Sequence, residues 1–195
     1  GIRDQPRSRG LGDVYKRQVL GRFQPFHNGH AFLVKKAAEL YPNEPVMIAI
    51  GSAQAEWEPN NPWSAQDRES MIRAWADSVE FEVQLCTIED INDPPNWVGH
   101  ARQHHGEGTL VTSDAATSAL YGEANFPVHN VDLNERERLE GWRVRQTAKM
   151  LSTVYDDDAV VEVLCASVPR EVVDWLISND ALFRLSTFET GVHAG

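Results

Sequence analysis

Two imidazoles three residues apart, His27 and His30, carry the clearest chemical signal in the chain, within the run Gly21-Arg22-Phe23-Gln24-Pro25-Phe26-His27-Asn28-Gly29-His30. Such a pair can be an ordinary polar pair on a helix, half of a metal site, or two hydrogen-bond donors for an anion. No acidic residue lies between them, so the zinc-protease pattern H-E-x-x-H is absent. The flanks favour the anion. A short apolar run, Val19-Leu20, leads in, and an apolar-periodic stretch with Phe32, Leu33, Ala37, Ala38 and Leu40 leads out. The segment therefore reads strand, turn, helix, with the chemistry at the turn. Asn28 is expected to cap the helix, and Gly29 removes a side chain where something must approach the backbone closely. Unpaired first-turn N–H groups and the positive end of the helix then face whatever lies above the strand. Two imidazole donors at such a place point to phosphate.

The elements that position this turn are legible as an alternation. The first helix is expected from about Asn28 to Tyr41, ended by Pro42. Pro45–Ile50 is a continuous apolar run, as expected of a strand buried on both faces. A helix between two such strands is a βαβ unit, hence a parallel sheet with a right-handed crossover. Phe81–Ile88, Thr109–Thr112 and Pro127–Val131 supply three more strands. Ser64, with Asp67 three residues on, caps the second helix in the manner of a capping box. Ser113-Asp114 caps another helix that reaches about Tyr121. The fold class is α/β: a doubly wound, parallel, five-stranded, Rossmann-like sheet, with ligands gathered at the carboxyl ends of the strands. Beyond residue 150 the pattern is of short helices, with Asp156-Asp157-Asp158 at a helix N-terminus and a loose tail from Ser186. The expected organisation is an extension over 1–17, an α/β domain over 18–150, and a helical segment over 151–195 packed on the same domain.

Composition bounds the function. Hydrophobic content is 42% and charged content 24%, ordinary for a soluble globular protein. No apolar run approaches membrane-spanning length and no secretory signal is evident, so no membrane association and a cytoplasmic location are expected. Cys86 and Cys165 lie far apart among apolar neighbours and read as reduced core thiols. The net charge is −11; without residues 1–17 there are 13 basic against 27 acidic residues, a charge of −14. A body this acidic disfavours duplex nucleic acid, and no nucleic-acid partner is expected. His100, His104 and His105 suggest a metal cluster at first sight, but no third ligand accompanies the helical pair, and a solvated helix end is expected.

The run Gly21–His30 resembles the H-x-G-H signature of the nucleotidyltransferase superfamily. In its longer form, G-R-F-Q-P-F-H-x-G-H, it resembles archaeal-type nicotinamide-nucleotide adenylyltransferases. Gly51-Ser52-Ala53-Gln54, Asn61-Pro62-Trp63 with Arg68, an Asp, Asn and Trp group around Asp90 and Trp97, and Ser167-Val168-Pro169 also match, so the likeness spans about 18–180. The family's chains begin only a few residues before the G-R-F-Q-P run, which makes 1–17 a foreign or disordered stretch. The resemblance implies adenylyl transfer from ATP to nicotinamide mononucleotide, giving NAD and pyrophosphate. ATP would be held by Gly21, Arg22, Phe23, His27, Gly29, His30, Ser113, Gly141, Arg143 and Arg145. Nicotinamide mononucleotide would be held by Ser52, Gln54, Asn61, Trp63, Arg68, Asp90 and Trp97. His27, His30, Arg22 and Arg145 would act on the phosphates, His30 on the α-phosphate. Mg²⁺ would arrive as MgATP, with no metal site of protein side chains, and the family implies a homo-oligomer.

Two segments depart from the family: Ser113-Asp114-Ala115, where the resemblance implies Asn or Arg residues near the adenine pocket, and the second phosphate segment. The pattern [I/Y]-S-[G/S/T]-T-x-I-R, whose hydroxyls and Arg hold phosphates, reads here Leu139-Glu140-Gly141-Trp142-Arg143-Val144-Arg145. Both hydroxyl residues are replaced. A carboxylate beside a polyphosphate is repulsive unless a metal or arginines screen it, and Arg143 is an added cation. Two other functions stay open on the sequence. One is nucleotidyl transfer to another phosphorylated acceptor, such as pantetheine phosphate, flavin or an alcohol phosphate. The other is a nucleotide binder without catalysis.

Overall fold

Five strands form one parallel sheet in the order β3-β2-β1-β4-β5. They are β1 (Lys16–Gly21), β2 (Val46–Ile50), β3 (Val83–Thr87), β4 (Gly108–Thr112) and β5 (Val128–Asn130), in a computed structural model that describes residues 16–42, 44–133 and 139–188. Helices α1 (Asn28–Leu40), α2 (Ala65–Ala76), α3 (Pro94–His105) and α4 (Ala115–Glu123) join successive strands. Val19 pairs with Ile48 on one side of β1, and Gln18 with Leu110 on the other. The chain runs outward from β1 through β2 to β3, then returns to lay β4 on the opposite side of β1. That reversal opens a crevice at the carboxyl ends of β1 and β4, where a doubly wound sheet binds ligands.

All five residues of β2 are buried, as its apolar run requires. One core takes in Val19, Ile48 and Ile50 from the sheet, Val34 and Ala37 from α1, and Met71, Ile72 and Trp75 from α2. The last four helices are α5 (Gly141–Leu151), α6 (Asp157–Leu164), α7 (Arg170–Ser178) and α8 (Phe183–Ser186). Val172, Val173 and Leu176 of α7 join that same core. Residues through Phe188 are held: the Phe188 carbonyl accepts from Lys149 Nζ at 2.8 Å. Residues 186–188 of the expected loose tail are thus held, and 189–195 lie outside the described residues.

Three expectations are revised. Strand β1 begins at Lys16, two residues before Gln18, and Arg17 is wholly buried. The Arg17 guanidinium bonds the Glu44 carboxylate at 2.8 Å and the Tyr41 carbonyl at 2.9 Å. Lys16 and Arg17 therefore belong to the fold, and the rest of the expected extension, 1–15, lies outside the described residues. His27, not Asn28, is the N-cap of α1; the Asn28 N–H goes to the Ser167 carbonyl at 2.8 Å. His105 is not solvated. It is 1% exposed, with Nδ1 2.8 Å from the Gly106 carbonyl and Nε2 3.0 Å from the Tyr121 hydroxyl. A carbonyl only accepts, so Nδ1 carries the proton and Nε2 accepts from Tyr121. Burial lowers the His105 pKa, in keeping with a neutral ring.

The capping box at Ser64 forms in both directions, 3.1 Å from Asp67 N–H to the hydroxyl and 3.0 Å from Ser64 N–H to the carboxylate. Both cysteines are free and partly buried. Among the described residues no helix is long and apolar enough to cross a membrane. Tyr121→Phe should leave the buried His105 Nε2 without a donor and destabilise the protein by about 1–3 kcal/mol, read as a lower urea midpoint at unchanged m-value.

Candidate active site

The loops at the crevice are built around Arg68, which is fully buried at the first turn of α2. Its Nε donates to the Ser64 carbonyl at 3.1 Å. Its Nη1 donates to the carbonyls of Arg22 at 3.0 Å and Gly51 at 2.9 Å, and its Nη2 to Ser52 at 3.1 Å and Ala55 at 3.5 Å. One guanidinium thus ties the exits of β1 and β2 together. Burial lowers its pKa to about 10, which leaves it charged at neutral pH. Gln24 makes a second tie. Its amide bonds both backbone groups of Trp63, donating at 2.8 Å and accepting at 3.1 Å.

Between these ties the histidine turn is packed tightly. Phe23, at φ 51, is buried, and its ring meets the edge of His30 at 4.7 Å. The rings of His27 and His30 stack at 3.6 Å, 24° apart. His30 Nδ1 accepts from the His27 backbone N–H at 3.2 Å, so the neutral ring carries its proton on Nε2. His27 Nδ1 is buried without a partner. A Cβ on Gly29 would stand 3.1 Å from His27 ring atoms and 3.3 Å from Leu133. Gly29 therefore makes room for the His27 ring itself. Burial, then the Arg145 charge, lowers the His27 pKa to about 3. Burial, then His27, holds His30 well below its ordinary value.

Arg145, on α5, is 3% exposed and reaches back to donate to the Gln24 carbonyl at 2.8 Å; its Nε is buried without a partner. Burial and the nearby Arg22 lower its pKa to about 10. His27, His30, Arg22 and Arg145 line one cavity of about 370 Å³. Gly29, Ser113 and Gly141 also line it. Two cations and two polar rings, with two polar nitrogens lacking partners, make a site for a multiply charged anion.

A second cavity, of about 400 Å³, is lined by Asp90, Asn92, Asp93 and Trp97. Leu20, at the end of β1, lines both cavities. Trp97 is partly exposed and meets Tyr121 edge-on at 6.2 Å. Asp90 is held by Gln54, whose amide donates to its carboxylate at 3.3 Å and accepts from its N–H at 3.0 Å.

Of the residues singled out for the mononucleotide, Asp90 and Trp97 line this second cavity; Ser52, Gln54, Asn61, Trp63 and Arg68 line neither. Trp63 is fully buried, with Nε1 donating to the Ala181 carbonyl at 3.0 Å, so the structure makes it a core residue with no face for a ligand. Arg68 spends its N–H groups on carbonyls and is likewise a scaffold. Asn61 is 9% exposed; its amide donates to Glu58 at 3.2 Å and its Oδ1 has no partner. On the other side, Gly21 and Phe23 lie behind the histidines, and Arg143 packs on Trp142 outside the cavity wall. Asp114, in the segment that the resemblance puts near the adenine pocket, lines the first cavity, and Thr112, Leu133 and Leu139 line it without having been foreseen. For Thr112 the signal existed, since it sits at the carboxyl end of β4.

A family model described as cytidylyltransferase-like matches residues 19–155. The chain belongs to the cytidylyltransferase-like family. Within it, a nicotinamide-nucleotide adenylyltransferase from Picrophilus torridus is 36% identical over 129 residues, 65% of this chain and 75% of the relative. One from Thermoplasma acidophilum is 29% identical over 175 residues, 88% of this chain and 90% of the relative. The fold is similar to that of a bifunctional NMN adenylyltransferase/ADP ribose pyrophosphatase from Francisella tularensis, complexed with AMP and a manganese ion. The TM-score is 0.59 at 18% identity, over 88% of this chain and 52% of that one. The chain therefore spans about half the length of that bifunctional protein.

Two outcomes follow from this geometry. Arg68→Lys, with three donors in place of a planar fork, should strand several carbonyls and cost about 2–4 kcal/mol in chemical denaturation. A histidine whose folded pKa is depressed stabilises fully above its unfolded pKa and loses that contribution as pH falls. Lowering the pH from 7 to 5 should therefore cost about 2 kcal/mol through His27 alone, and denaturation of His27→Gln should show a correspondingly flatter pH dependence.

Proposed function

We propose that the protein transfers the adenylyl group of MgATP to nicotinamide mononucleotide, giving NAD and pyrophosphate. The observation that carries this reading is the pair of cavities meeting at Leu20: one lined by His27, His30, Arg22 and Arg145, the other by Trp97 and carboxylates. The first suits a triphosphate. The second suits the cationic nicotinamide ring, through the flat face of Trp97 and the charges of Asp90 and Asp93. The names of the archaeal relatives point the same way.

A phosphate oxygen of the mononucleotide attacks the α-phosphorus in line. The new P–O bond forms as the bond to the β-phosphate oxygen breaks, and pyrophosphate leaves with that electron pair. The nucleophile is already anionic, so no general base and no covalent intermediate are needed. Catalysis is placement and charge neutralisation. His30 Nε2–H is the donor assigned to the α-phosphate, its tautomer set by the bond from the His27 N–H. Arg22 and Arg145 hold the departing β- and γ-phosphates, with Arg145 anchored on the Gln24 carbonyl. Mg²⁺ enters with ATP as part of the substrate. Two neutral imidazoles accept the polyphosphate without a preliminary deprotonation, and its charge favours their protonation as it binds.

Wild-type protein supplied with ATP, Mg²⁺ and nicotinamide mononucleotide should form NAD and pyrophosphate in equal amounts, and nicotinic acid mononucleotide should react more slowly. His30→Ala should lower kcat by about 10²–10³. Near-normal turnover of that variant would remove His30 from the mechanism, and no NAD from the wild type would remove the function.

A further inference from the structure

The wall of the phosphate cavity contains an anion of its own. Glu140 stands at the N-cap position of α5, yet its side chain does not cap the helix. Its Oε2 instead accepts the indole N–H of Trp142 at 2.6 Å and faces Arg143 Nε at 3.4 Å. The Arg143 guanidinium lies over the same indole, 4.5 Å from the ring centroid. Glu140 and Trp142 both line the cavity that His27, His30, Arg22 and Arg145 also line. One donor of the anion site, the Trp142 N–H, is thus engaged by a carboxylate from the same helical turn, with Arg143 outside the cavity wall.

We propose that Glu140 is a built-in competitor of the nucleotide's terminal phosphates: it holds the Trp142 N–H until a metal-complexed phosphate chain takes it over. This rests on the reading that the first cavity receives the phosphates of ATP. The exchange needs little rearrangement. The Glu140 side chain is 42% exposed, so its carboxylate can pass into water without leaving a buried charge behind. The indole N–H then bonds a phosphate oxygen in place of the carboxylate, one charge-assisted acceptor for another. The competition also selects the form of the ligand. A bare polyphosphate meets the Glu140 carboxylate, and that of Asp114 across the cavity, with its full negative charge. A magnesium complex carries much less charge and meets correspondingly less repulsion. Glu140 thus acts as a specificity-determining residue against metal-free phosphates.

Calorimetric titration with inorganic tripolyphosphate and with ATP, each with and without Mg²⁺, tests the proposal. Glu140→Gln keeps an acceptor for the Trp142 N–H and removes the charge; Glu140→Ser is the second variant if the first folds poorly. The wild type should bind the magnesium complexes more tightly than the free anions. Glu140→Gln should bind metal-free tripolyphosphate roughly five- to tenfold tighter than the wild type, with a smaller gain for the magnesium form. Trp142→Phe added to Glu140→Gln should weaken binding about threefold relative to Glu140→Gln alone, because the indole N–H is then a ligand donor. In turnover, Glu140→Gln should lower KM for ATP with proportionately less change in kcat. Unchanged or weaker binding by both Glu140 variants overturns the proposal, as does an equal gain for free and magnesium-bound anions. These titrations do not depend on the acceptor. A wild type that binds tripolyphosphate but forms no NAD would fail the functional reading and leave this one standing or falling on the variants.

Discussion

The carbonyls at the exits of β1 and β2 converge on one point, and a single guanidinium occupies it. Arg68 bonds Arg22, Gly51 and Ser52 from the two loops as well as Ser64 and Ala55. Converging carbonyls repel one another and would otherwise need water or splayed loops. With Arg68 in place the two loops close over the sheet and the histidine turn acquires a floor. Among the described residues the cation makes no ion pair, and all its hydrogen bonds go to backbone carbonyls, with the charges of Asp67, Glu56 and Asp90 acting on it from a distance.

The histidine turn shows the complementary economy. His27 Nδ1 and Arg145 Nε are buried without partners, which costs free energy. That cost is concentrated in two residues that line the first cavity. The stack of two rings at 3.6 Å fixes their planes, and the aromatic edge of Phe23 fixes His30 from behind. Donor positions are set before the nucleotide arrives, and little reorganisation remains for the moment of reaction.

Much of this was legible in the residues. The apolar runs at Val46–Ile50 and Thr109–Thr112 marked buried strands because both faces of a doubly wound sheet are covered. The histidine turn was legible because its glycine, aromatics and imidazoles each answer a local need. The acceptor loop was less so. Trp63 and Arg68 fit a ligand-binding role by type, and only packing distinguishes a tryptophan that stacks on a substrate from one whose N–H is spent on Ala181. Arg68 lies one helical turn after its cap, where nothing in the sequence says that five carbonyls will converge. His105 escaped for the same reason: its partner Tyr121 is on the next helix. Glu140 and Trp142 stood out as departures, but their bond to each other is visible only in space.

The grip of Arg145 on the Gln24 carbonyl spans 121 positions. The anion site therefore joins the first strand–helix turn to a helix from the last third of the chain. Contacts of such separation carry the entropy cost of closing a long loop. A nascent chain that has made the sheet still lacks half of its phosphate grip, so nucleotide binding is coupled to the docking of α5 and the helices that follow. Bound nucleotide in turn stabilises the assembled state over any in which α5 has come away. The substrate thus serves as a clasp between the first turn of the fold and its C-terminal helices.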